Sequence, residues 1–208
     1  MKPFAIAIGG AAFALTASTA LAQVVGISGD IAGSAEGTGA TFSGSVEYVH
    51  LGGNDGQLTI DLTNDSPAPV GGFLTGLLFR GSAGDGPLLA SLASADPTSF
   101  LDTGAAFAGP FGSFDGGAAL NGNWLGGGDP SLGLGIGQGG RFIFEIDSAN
   151  ASLLTTASFF GSADQPGMVM RFRGLNGGLS DMVPVVIPAP SALALLGLGG
   201  LVATRRRR

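Results

Sequence analysis

In four separate stretches of this chain, apolar side chains recur on one face at a period of two, mostly opposite polar ones, and that pattern constrains the fold more than anything else in it. Leu58, Ile60 and Leu62 face one way, against Gln57, Thr59 and Asp61. Phe42, Val46 and Tyr48 share a face in 41–49. Phe142, Phe144 and Ile146 alternate with Arg141 and Glu145, and Met168, Met170 and Phe172 oppose Arg171 and Arg173. A period of two is the mark of a strand with one dry face and one wet face, as in antiparallel sheets. The 3.6-residue period of an amphipathic helix is scarce.

Turn chemistry separates these stretches. Gly52-Gly53-Asn54-Asp55-Gly56 reads as a hairpin connection. Thr63-Asn64-Asp65-Ser66-Pro67 ends the next strand with side chains that bond their own backbone. The mostly apolar run 73–79 predicts a more buried strand. Residues 104–140 are dense in glycine and predict long loops crossing between sheets, with short strands near Phe107 and Trp124. The expected fold is all-β: an antiparallel β-sandwich with glycine-rich loops over 23–183. Glycine fills 39 of 208 positions, and the freedom it must lose opposes folding. The periodic Phe, Leu, Ile and Val nonetheless favour a folded body over disorder.

Both ends read as processing segments, set apart from the body. In 1–22, Lys2 precedes an apolar run, and Ala20-Leu21-Ala22 offers the small-x-small pattern of a signal-peptidase site. The expected cut falls after Ala22 and leaves Gln23 as the first mature residue. At the other end, 184–208 has three parts in order. Pro184, Pro188 and Pro190 cannot be helical throughout. Residues 191–204 are uncharged and rich in Leu, Ala and Gly, and Arg205, Arg206, Arg207 and Arg208 close the chain. As a helix, 191–204 rises only about 21 Å, short of the roughly 30 Å hydrocarbon core. The arginines hold the end on the cytoplasmic side.

This order of proline motif, short hydrophobic helix and arginine cluster resembles the PEP-CTERM sorting tail, also named the ice-binding protein C-terminal domain. The usual Pro-Glu-Pro is here Pro188-Ala189-Pro190, preceded by Ile187, a variant motif. The resemblance implies export, a transient inner-membrane intermediate, and processing near 187–190 by an exosortase-type enzyme. Pro188, Ala189 and Pro190 are then substrate residues. Two further patterns, 56–64 and 171–175 running down to Ser180 and Asp181, look like strand pairs of exported domains that carry this tail.

The body has no cysteine, so disulfides cannot staple it. It sets fifteen carboxylates against Arg80, Arg141, Arg171 and Arg173. Such an acidic body argues against nucleic acid as a partner.

Chemistry finds little material. His50 is the only histidine, so any Ser-His-Asp arrangement would have to use it. His/Cys clusters for zinc or iron cannot be built. Calcium needs only oxygen ligands, and Asp30, Asp55, Asp85, Asp115 and Asp129 lie beside glycines, but no EF-hand spacing occurs. Glu47 and Glu145, both on expected strands, are the carboxylates a glycoside hydrolase would use. Trp124 and Tyr48 are the aromatics a sugar site would use. Asn64 and Asn150 stand in Asn-x-Ser sequons. The threonines form no regular array, so ice binding is not expected.

The expectation is an exported cell-surface or extracellular-matrix protein, not an enzyme and without a cofactor, in a structural or adhesive role. Its partners would be signal peptidase, the processing enzyme and exopolysaccharide or other matrix. The alternative is a calcium- or carbohydrate-binding module for exopolysaccharide, or a secreted hydrolase.

Overall fold

The computed structural model describes residues 23–82, 87–162 and 165–187. Two five-stranded sheets, antiparallel throughout, make up the body. The first runs β1-β2-β3-β10-β5, with β1 at Val24–Gly29, β2 at Phe42–Gly52, β3 at Asp55–Asn64, β10 at Gly139–Asp147 and β5 at Leu89–Asp96. The second runs β12-β11-β4-β9-β6, with β12 at Leu179–Pro184, β11 at Met168–Leu175, β4 at Gly71–Phe79, β9 at Gly116–Leu120 and β6 at Phe100–Asp102. A small hairpin, β7 (Ala106–Ala108) with β8 (Gly112–Phe114), stands apart from both. Three 3-10 turns are the helical segments among the described residues.

The alternating stretches behave as their period requires. β3 and β10 pair in register from Thr63–Gly139 to Asp55–Asp147, and each turns every second residue inward. Their inner faces and those of the second sheet share one core, in a sandwich-like arrangement. Phe79 meets Phe144 edge-on at 4.7 Å between ring centroids, and Phe100 meets Phe142 at 5.0 Å. Such edge-to-face pairs add about 0.5–1.5 kcal/mol each beyond the area they bury.

The second sheet departs from simple alternation. From Leu74 to Phe79 every residue of β4 is buried. The register with β11 slips by one, pairing Gly76 with Arg171 but Leu74 with Phe172. That bulge makes Thr75 the extra residue, so Leu74 and Leu77 both reach the inner core while Leu78 faces the other side.

The glycine-rich stretch corrects an expectation. It does not simply loop between sheets: it contains β9, a buried strand within the second sheet, and the β7–β8 hairpin. Phe107 lies in β7 as expected. Trp124 sits in a turn four residues after the short strand β9, with Leu78, Ala108, Phe114 and Val169 as a second, smaller core on the outer face of the sheet.

The sandwich is sewn along both sides. Leu92 of β5 donates its main-chain N–H to Asp102 of β6 at 2.7 Å. On the opposite side, Ser28 of β1 bridges Val186, two residues beyond β12.

Candidate functional site: the carboxy-terminal seam

The tail leaves the body where β12 meets β1. Ser28 and Val186 exchange both main-chain hydrogen bonds, at 3.2 Å and 2.7 Å. Val185 is buried, while Val186 and Ile187 are 48% and 46% exposed. Beside them lies an apolar groove of about 620 Å³, lined by residues including Pro110, Phe111, Phe160, Pro166, Val185 and Ile187.

One carboxylate secures this seam. Asp181, on β12, is buried. Its Oδ2 accepts from the Ser34 hydroxyl at 2.6 Å, the Thr38 hydroxyl at 2.5 Å and the Thr38 N–H at 3.1 Å. Its Oδ1 accepts from the N–H groups of Glu36 at 3.1 Å and Met182 at 2.7 Å. Burial by itself raises the Asp181 carboxyl. The hydrogen bonds with Glu36, Ser34 and Thr38 outweigh it and hold the group at about 2. Glu36 shifts the other way, pushed up by burial and by the adjoining Asp181 carboxyl. A buried anion with five donors ties the loop after β1 to the last strand of the other sheet, without a disulfide. Nothing local in the sequence marks it, because Asp181 lies 143 to 147 residues from Ser34, Glu36 and Thr38.

The other residues singled out by sequence are scattered. Gln23 is exposed at the start of the described chain, and its carbonyl accepts from the Thr156 hydroxyl at 2.7 Å. Ala20, Ala22, Asp85, Pro188, Ala189, Pro190 and Arg205 to Arg208 lie outside the described residues. The His50 ring contacts the Gly53 carbonyl at 3.1 Å within its own hairpin.

Glu47 and Glu145 occupy the outer face of the first sheet on β2 and β10, with β3 between them. From strand spacing their Cα atoms lie roughly 10 Å apart across the sheet and 7 Å along it. Arg141 on the same face pairs instead with Asp61, at 2.7 Å and 2.9 Å.

Asp30, Asp115 and Asp129 each accept a main-chain N–H, from Ala32, Gly81 and Ser131 respectively, and Asp55 opens β3. Among the described residues no three His, Cys, Asp or Glu side chains stand where they could share an ion. Trp124 and Tyr48 are buried rather than exposed as sugar platforms, and the Tyr48 hydroxyl donates to the Ala151 carbonyl at 2.9 Å. Asn64 is buried, its amide donating to the Leu134 carbonyl at 2.9 Å. Asn150 stands immediately before the 3-10 turn Ala151–Leu153.

The molecule at this point is an all-β body of antiparallel sheets, with its last described residues, 185–187, at the seam between β12 and β1. Among the described residues no helix is long and apolar enough to cross a membrane. Compared with family models, with curated proteins and with solved structures, the chain matches none.

Proposed function

We propose that this chain is an exported surface or matrix protein with a non-catalytic, structural or adhesive body. Signal peptidase removes 1–22, and an exosortase-type enzyme cuts near 187–190, freeing the body from the inner membrane. One observation carries the reading. The proline motif, the hydrophobic stretch and the arginine cluster follow, in sequence, three residues after Val185, the last buried side chain among the described residues. A stretch too short to be a comfortable permanent span, stopped by four arginines, suits an intermediate that is held and then released.

The test is the intact mass and cellular location of the mature protein. A species that begins at Gln23 and ends near Pro188, found outside the inner membrane, supports the reading. A membrane-bound species that retains Arg208 would make the tail a plain anchor. A full-length chain in the cytoplasm would sink export itself.

A further inference from the structure

Four arginines stand in a body of fifteen carboxylates, and one of them has no acceptor among the described residues. Arg141 holds Asp61 in a fork of two bonds, at 2.7 Å and 2.9 Å. Arg173 donates to the Gly127 carbonyl at 2.9 Å, and Arg80 to that of Phe111. The Arg171 side chain makes neither hydrogen bond nor ion pair with any described residue. Its Nε is closed off from water without an acceptor, as is the Nε1 of Trp124. Its two Nη groups are not closed off.

β11 sets the place. Arg171 and Arg173 share its outer face, two residues and about 7 Å apart along the strand. Gly76 is the cross-strand neighbour of Arg171 on β4, and the Trp124 indole lies against it: a Cβ there would stand 3.3 Å from the ring. The same ring, its centroid 5.9 Å from the guanidinium, walls Arg171 on that side. On the other side Arg173 pairs across the sheet with Ser180 of β12, an exposed residue. Two carboxylates bear on the arginines, and neither neutralises Arg171. Asp129 acts on Arg173 and accepts from the Ser131 N–H at 2.9 Å. Glu36 acts on Arg171 from beyond ion-pair range, and its Oε2 accepts from the Met182 N–H at 3.1 Å. Burial, and after it the neighbouring Arg173, hold the Arg171 guanidinium below its ordinary value.

A half-buried cation with no counter-charge at contact carries a desolvation cost that its surroundings leave standing. An anion at the Nη end would offset it, because the guanidinium shares its charge over all three nitrogens. The sign of the body selects which anion. A body so acidic repels a densely charged polymer and admits a singly charged group most easily. A carboxylate is such a group, and its planar pair of oxygens matches the guanidinium fork, as Asp61 does on Arg141. Ser180 then offers a hydroxyl to whatever hydroxyls stand beside that carboxylate.

We propose that Arg171, walled by Trp124 and with Arg173 and Ser180 beside it, seats the carboxylate of an acidic sugar, a uronate unit of a matrix polysaccharide. The seat stands on the geometry. The saccharide source rests on the surface or matrix reading given above, and gives its adhesive form a ligand.

Trp124 is the sole tryptophan, so intrinsic fluorescence reads this one place. The full chain, purified in detergent, is titrated at low ionic strength with tri-galacturonate and with its methyl ester. The uronate should shift the Trp124 emission saturably, the ester should not, and added salt should weaken the response. Arg171→Gln should weaken binding at least about tenfold. Arg171→Lys, which keeps the charge and loses the fork, should fall between parent and Arg171→Gln, and it decides the matter if Arg171→Gln does not fold. Arg141→Gln, on the outer face of the other sheet, should leave the titration unchanged.

No saturable shift with the uronate, an equal shift with the ester, or a titration unchanged in both Arg171 variants overturns the seat. Acetate binding as tightly as the uronate overturns the saccharide. So does self-association of the parent that the uronate does not displace and Arg171→Lys abolishes, since a protein carboxylate would then occupy the place. The titration uses purified protein, so its failure leaves the sorting reading standing. A full-length cytoplasmic chain would sink that reading whatever the fluorescence shows.

Discussion

The two sheets contain the same number of strands but meet water differently. The first is dry inside and wet outside: Glu47, Asp61, Arg141 and Glu145 line its outer face. The second is dry on both faces across β4 and β9, because the β7–β8 hairpin and the Trp124 turn cover its outside. Three of the four body arginines hold that cover in place. Arg80 lies 4.2 Å from the Phe114 ring centroid, Arg171 lies 5.9 Å from that of Trp124, and Arg173 donates to the Gly127 carbonyl at 2.9 Å. The contrast teaches that glycine content alone does not distinguish loop from core. Here the small residues let a covering segment approach a sheet closely.

The comparison can be broken most forcefully at Gly117. A Cβ there would sit 2.2 Å from the Leu77 carbonyl oxygen and 2.5 Å from the Leu78 side chain. Gly117→Val should abolish the cooperative unfolding transition in circular dichroism. Next comes Trp124→Ala, which hollows the outer core and should cost about 3–5 kcal/mol in urea titration. A cost under about 0.5 kcal/mol would mean that the outer face is surface after all.

Asp181→Ala, at the seam joining the sheets, should cost about 2–3 kcal/mol by leaving donors without their anion. Its pH dependence has a definite sign. The folded carboxyl, at about 2, lies below its ordinary 3.8, so the unfolded chain takes up the proton first. The stabilisation is full above pH 4 and is lost as pH falls towards 2. The stability gap between parent and Asp181→Asn should therefore close over that window. The smallest effect belongs to the wet face: Glu145→Thr should move stability by no more than about 0.5 kcal/mol.

Three strands of the first sheet (β2, β3 and β10) and two of the second (β4 and β11) were legible in the sequence; β1, β5, β6 and β9 were not. β2, β3, β10 and β11 alternate large apolar and polar side chains, and a period of two announces a half-buried strand. In β9, Gly116-Gly117-Ala118-Ala119-Leu120 has no polar face to alternate with, so nothing distinguishes it from the glycine-rich stretch around it. The sequence offered Trp124 as a sugar-site aromatic and could not show its burial, since its neighbours come from β4, β7, β8 and β11. The seam was the least legible part. The Asp181 cluster and the Ser28–Val186 pair join residues from opposite ends of the body, and no local pattern encodes such a meeting.

The seam also determines how the body bears tension. A pull applied through the tail enters at Val186, meets the two bonds to Ser28, and passes into β12. Peeling β12 from β11 would also drag on the loop after β1, because Asp181 grips Ser34 and Thr38 there. Force on the last strand of one sheet is thus shared with the first strand of the other. In a chain without a disulfide, the mechanical clasp is a single carboxylate, and acid loosens it.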